Sequence, residues 1–114
     1  MDIVRYVQSY HISPNCDTHS FRTRIEDISQ IIDTNIPFVL IGDTNLDSFN
    51  VNNRSKIGLI EKSLKCKQLV SFATTNSHTA IDHIYSNIPN LDLGIIDCYW
   101  SDHKFIYASV PLPS

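Results

Sequence analysis

The feature that most constrains this chain is a short, uninterrupted apolar run, Phe38-Val39-Leu40-Ile41, that stops on Gly42-Asp43. The run lacks the alternation of a strand with one wet face, and it is too short for a helix that is apolar all round. It suits a strand covered on both faces. Such a strand needs a layer on each side, so the chain must fold as a layered domain. The run is followed at once by Thr44-Asn45-Leu46-Asp47. Polar residues therefore gather where a buried strand ends, which is where open α/β sheets place their ligands.

The flanking segments fill in the layers. Residues 2–10 are rich in Ile, Val and Tyr and read as a strand. HISPNCDT is a loop, and Asp17 or Thr18 can cap a helix that follows. Phe21, Ile25, Ile28 and Ile32 recur every three or four residues and give that helix one apolar face. Asn35 and Pro37 end it. A second amphipathic helix is predicted over about 56–66, with Ile57, Ile60 and Leu64 inward. QLVSFA, AIDHIYS, LGIIDCYW and KFIYASV then read as four strands, and Pro111 and Pro113 close the fold. The pattern predicts one α/β domain over residues 1–114, with no linker inside it.

Composition bounds the function only loosely. The chain has 114 residues, 42% hydrophobic and 18% charged, which supports one globular domain with a small core. A formal charge of −3 names no partner, so a nucleic-acid binder would need a local basic patch. Residues 54–67, RSKIGLIEKSLKCK, hold five basic residues and one acidic one. On a helix these can touch a nucleic-acid backbone, but a solvated helix face is the preferred reading, since charged residues are normally exposed. Cys16, Cys66 and Cys98 fit neither zinc nor disulfide spacing and read as reduced, buried residues. There is no signal-peptide pattern and no apolar run of membrane length. The expected location is intracellular, with the nucleus open to it, and no membrane partner is expected.

Three polar clusters stand at strand ends. In Gly42-Asp43-Thr44-Asn45-Leu46-Asp47, Asp43 and Asn45 can face a common cleft, or the segment can be a plain Asx turn. In Ala80-Ile81-Asp82-His83-Ile84-Tyr85 a carboxylate interrupts an apolar strand, which is costly unless a partner meets it. Alternation puts Asp82 and Ile84 on one face and His83 on the other. His83 therefore reads as a hydrogen-bonded strand residue that serves no common site with Asp82. Ser101-Asp102-His103 precedes the last strand. It can be a bland turn, or it can supply a metal ligand and an acid–base group.

Taken in order, GDxNxD, IDHIY and SDH resemble the endonuclease/exonuclease/phosphatase superfamily, and most of all its mobile-element and apurinic-site endonucleases. Tyr10, Pro14 and Asn15 resemble the family's Tyr-x-Pro-Asn loop, here with three residues between Tyr and Pro. The likeness covers nearly the whole chain but only the C-terminal half of a family domain. It implies half of a deoxyribonuclease I-like sandwich, a mixed sheet with two helices on one face.

The resemblance also implies roles. Asp43 handles the attacking water or the leaving oxygen. Asn45 contacts the scissile phosphate, and Tyr10 contacts phosphate as well. Asp82 orients His103, which acts as general base or on the phosphate. Asp102 is the metal ligand, for Mg²⁺ or alternatively Mn²⁺. Asp47 is expected to be structural. Thr44 replaces the usual Phe or Leu and is expected to be a packing change. The family's N-terminal Asn and metal-binding Glu have no counterpart here, since Glu26 and Glu61 both fall in predicted helices. The isolated chain is therefore expected to be inactive without an upstream half. The expected activity is hydrolysis of a DNA phosphodiester. An inactive remnant or interaction module is one alternative, and a phosphatase of the same superfamily is another. Leu46-Asp47 after GDxN differs from the aromatic and basic pair usual in inositol phosphatases.

Overall fold

The structure, a computed structural model, describes the backbone of residues 6–11 and the whole of residues 17–110. The element order is β1 (Tyr6–His11), α1 (Thr18–Ile31), β2 (Phe38–Asp43), α2 (Arg54–Leu64), β3 (Lys67–Gln68), β4 (Asp82–Ser86), β5 (Asp92–Ile96) and β6 (Phe105–Ser109). A single 3₁₀ turn at Val51–Asn53 leads into α2. Among the described residues the domain is mixed α/β, with two helices and two separate sheets.

Local chemistry sets the helix ends. Asp17 is the N-cap of α1, and its carboxylate accepts the Ser20 N–H at 2.7 Å, satisfying one of the orphan donors of the first turn. After α1, Asp33 accepts the Asn35 N–H at 3.0 Å in an Asx turn. α2 ends at Lys65, which takes the left-handed conformation usual after a helix (φ 51°).

The larger sheet has the order β1-β2-β4-β3. β1 runs parallel to β2, with Tyr10 opposite Gly42, while β4 runs antiparallel to β2, with Leu40 opposite Tyr85, Ile41 opposite Ile84 and Asp43 opposite Asp82. Alternation along these strands makes two faces. Phe38, Leu40 and Tyr85 join Phe21 and Ile25 of α1 and Ile57, Ile60 and Leu64 of α2 in one core. Val39 and Ile84 form a second core on the other face, joined by Leu93, Ile106 and Ala108 of the β5-β6 hairpin. The central strand is thus covered on both sides, and Phe38, Val39 and Leu40 are all buried. Each such side chain contributes roughly 1.5–3 kcal/mol over leaving it in water.

Two strands differ from the reading of the sequence. QLVSFA forms a ladder only at Gln68. The Gln68 side chain is the cause: its Oε1 accepts the Val70 N–H at 2.7 Å and its Nε2 donates to the Val70 carbonyl at 2.9 Å. With both backbone groups of Val70 held by one side chain, the strand cannot continue. LGIIDCYW stops at Ile96, and residues beyond it turn toward β6. The hairpin pairs only with itself (Ile96 opposite Phe105, Gly94 opposite Tyr107). The Tyr107 ring lies over Gly94, where a Cβ would stand 1.9 Å from it, so a side chain at this position would displace that ring. The outer side of the hairpin and its turn leave Ile96, Tyr99, Trp100, Phe105 and Tyr107 exposed. No helix among the described residues is long and apolar enough to cross a membrane.

Candidate functional site

The polar residues that end β2 and begin β4 lie on neighbouring strands, because Asp43 pairs in register with Asp82. Both occupy the alternating positions of Ile41 and Ile84, so they belong to the hairpin side of the sheet. The loop before β6 completes the group. His103 Nδ1 lies 2.8 Å from Asp82 Oδ2, and His103 Nε2 lies 3.9 Å from Asp43 Oδ2. One ligand atom from each of Asp43, Asp82 and His103 lies within 4.8 Å of the other two. Three elements far apart in sequence therefore converge at one sheet end.

The hydrogen bond fixes the state of the imidazole. An ionised carboxylate only accepts, so Nδ1–H donates to Asp82 and the free lone pair of the neutral ring sits on Nε2. That lone pair faces Asp43. Partial burial pulls the His103 pKa down, but the Asp82 hydrogen bond and the charges of Asp82, Asp43 and Asp102 outweigh it, and the ring is held above its ordinary value. The His103 side chain keeps 41% of its surface exposed, so a solvent-borne group can reach it.

Backbone contacts hold the loop in place. Thr74 Oγ1 accepts the N–H groups of Ile81 and Asp82, each at 3.2 Å. The Thr74 carbonyl accepts Lys104 N–H at 2.8 Å, the Asn76 N–H donates to the Asp102 carbonyl at 2.9 Å, and Thr75 bridges His103. Residues 74–76 thus clamp the Ser101-Asp102-His103 loop against the start of β4. Sequence reasoning missed them, since a Thr-Thr-Asn run reads as an ordinary turn.

On the first loop, Asp43 Oδ1 accepts the Asn45 N–H at 2.9 Å, and Asn45 takes a left-handed conformation (φ 54°) that asparagine tolerates better than most residues. Asp43 thereby uses one oxygen on its own loop and turns the other toward His103. Asp47 caps two segments, accepting the N–H of Phe49 at 3.1 Å and of Ala80 at 2.9 Å, which is a structural role. Asp102 is exposed and lies outside the Asp43-Asp82-His103 group. Tyr10 stands in β1 opposite Gly42, but its side chain, like Pro14, Asn15 and Cys16, lies outside the described residues.

Neither a known family model nor any curated protein matches this chain. The case for the site rests on its own geometry.

Thr44 is more than a packing substitution. It is fully buried, and its hydroxyl donates to the Ile81 carbonyl at 3.0 Å while accepting the Leu46 N–H at 3.1 Å. His83 is buried beside it. The His83 Nε2–H donates to the Ala80 carbonyl at 3.0 Å, so its Nδ1 is an acceptor and takes the Tyr85 hydroxyl at 3.0 Å, while Thr44 Oγ1, its proton given to the Ile81 carbonyl, lies 3.2 Å away. Burial keeps the His83 pKa below its ordinary value, so the ring stays neutral. His83 thus braces the helix side of the sheet and faces away from Asp82, as alternation predicts. Cys66 and Cys98 are free and buried. Burial, with the nearby Glu61 charge, pushes the Cys66 thiol up to about 12.

Proposed function

We propose that this chain carries the base side of a metal-dependent phosphodiesterase site of the endonuclease/exonuclease/phosphatase kind, with DNA as substrate. The observation that carries the reading is the Asp82–His103 hydrogen bond of 2.8 Å, with Asp43 beyond the free ring nitrogen at 3.9 Å. A carboxylate that orients a histidine fixes its tautomer and makes it more basic. His103 Nε2 can then take a proton from an attacking water or hold one against a phosphate oxygen. Asp43 shares that proton or polarises the water. Asn45 and Tyr10 are the phosphate contacts. The layer order, helices on one face of the four-stranded sheet and a hairpin on the other, supports half of a deoxyribonuclease I-like sandwich.

The donor set fits a hard divalent cation. Asp43 and Asp82 offer oxygens within 4.8 Å of the histidine nitrogen, and Asp102 stands on the adjoining loop. Mg²⁺ takes few protein carboxylates and keeps several waters, while Mn²⁺ also accepts imidazole. When bound, the cation offsets charge on the non-bridging oxygens of the phosphate.

The test is nicking of supercoiled DNA by the protein expressed from its full reading frame. Cleavage with Mg²⁺ that stops with chelator supports the reading. No cleavage under either condition contradicts it. The exposed aromatic side of the β5-β6 hairpin favours a second reading, an interaction module without catalysis. That reading predicts stable capture of a protein partner and no metal-dependent cutting.

A further inference from the structure

Helix α2 carries charge that the cleft does not use. Arg22, Lys56 and Lys62 line a groove of about 390 Å³ between α1 and α2. Lys62, Lys65 and Lys67 line a second groove of about 540 Å³ between α2 and the far end of β4. Lys62 borders both, so basic side chains form a track that crosses the exposed ridge of α2 from one groove to the other. The chain has nine Lys and Arg against twelve Asp and Glu. Five of the nine line this track with one acid, Glu61, leaving four basic and eleven acidic residues for the rest. Glu61 itself accepts the Gln68 N–H at 2.9 Å. Lys62, Lys65 and Lys67 are exposed and form no ion pair among the described residues.

We propose that this track is a second nucleic-acid contact, holding the phosphate backbone at a distance from the Asp43-Asp82-His103 cleft. Lys56, in the first turn of α2, and Lys65, its C-cap, lie nine residues apart on opposite flanks, about 14 Å along the axis at the helical rise. A duplex strand presents a phosphate about every 3.4 Å of axis, so the track spans about four of them. β4 begins at the cleft with Asp82 and ends at the groove with Ser86, about 13 Å away. The two sites therefore engage different stretches of one polymer. A lipid surface fits less well. Membrane-binding basic helices pair their charge with adjacent apolar residues; here the larger exposed apolar group sits on the hairpin, across the sheet from α2, and only Ile31, Phe49 and Val51 are exposed large apolar residues near the helices among the described residues.

The choice of nucleic acid as the polyanion rests on the phosphodiesterase reading, so the test separates the two. Binding of a labelled duplex is followed by fluorescence anisotropy in EDTA, from about 50 to about 200 mM salt. The wild-type protein is compared with Lys62→Gln/Lys65→Gln/Lys67→Gln, with circular dichroism as the check on folding. Three lost phosphate contacts lower the log–log salt slope by about 2.7, so the variant loses about 40-fold less affinity over that range. If the triple variant does not fold, Lys62→Gln alone must lower the slope by about 0.9. Parallel slopes overturn the proposal. So does binding to phosphatidylserine vesicles with none to DNA. A protein that binds through these lysines but cuts nothing keeps the track and refutes the cleft; one that cuts with an unchanged slope does the reverse.

Discussion

Replacing Thr44 with valine removes one hydroxyl from a fully buried position and leaves shape and volume nearly unchanged. The consequence follows from two hydrogen bonds. The Ile81 carbonyl loses the Thr44 hydroxyl but keeps the Thr44 N–H at 2.8 Å, so that loss is a modest one, on the order of 1 kcal/mol. The Leu46 N–H, buried and bonded to Thr44 Oγ1 at 3.1 Å, is left without that acceptor, which costs about 1–2 kcal/mol more. The sum is about 2–3 kcal/mol. For a domain of this size that is a fall in Tm of roughly 8–12 °C. Urea and thermal unfolding, followed by circular dichroism, measure it directly. A Thr44→Val protein within about 0.5 kcal/mol of wild type, the scatter of ordinary surface changes, would refute the claim that this residue is a polar brace.

Other consequences can be checked separately. In metal-free protein, Asp82→Asn should lower the His103 pKa seen by NMR, because it removes the charge that raises it and leaves only a neutral amide oxygen to accept from Nδ1–H. The sign for stability follows. A raised folded-state pKa gives His103 a stabilising contribution that is complete below its unfolded value of about 6.5 and fades as pH rises through the folded value. Wild type should lose that increment over this window, and Asp82→Asn should show less of it. Asp47→Ala should destabilise by about 2–3 kcal/mol in urea, because two backbone N–H groups lose a charged acceptor. Cys66, with its thiol pushed up to about 12, should resist a thiol reagent at pH 8 in native protein and react once urea unfolds it; prompt native labelling would contradict its burial.

Much of this was legible in the residues. The period of Phe21, Ile25, Ile28 and Ile32, and of Ile57, Ile60 and Leu64, marks the faces of both helices, and all are buried but Ile28, which is half-buried against the same core. The apolar run before Gly42 marks a strand covered on two sides. Alternation separates Asp82 from His83. What escaped depends on side chains that answer the backbone locally. Gln68 stops a strand that propensity would extend. Thr74 and Thr75 clamp the His103 loop through contacts no pattern announces. Thr44 reads as a misplaced apolar residue until Leu46 and Ile81 are placed around it. The convergence of Asp43, Asp82 and His103 needs the register of β2 and β4 as well as that loop, and neither is local.

The central claim is that His103, oriented by Asp82, takes part in cutting a phosphodiester. Nicking of supercoiled DNA by His103→Ala in the protein expressed from its full reading frame, beside wild type that cuts in the same Mg²⁺ buffer, tests it most directly. Loss of a positioned acid–base group should slow cleavage about 10²- to 10⁴-fold without unfolding the protein. A folded His103→Ala protein that nicks DNA as fast as wild type would contradict the account.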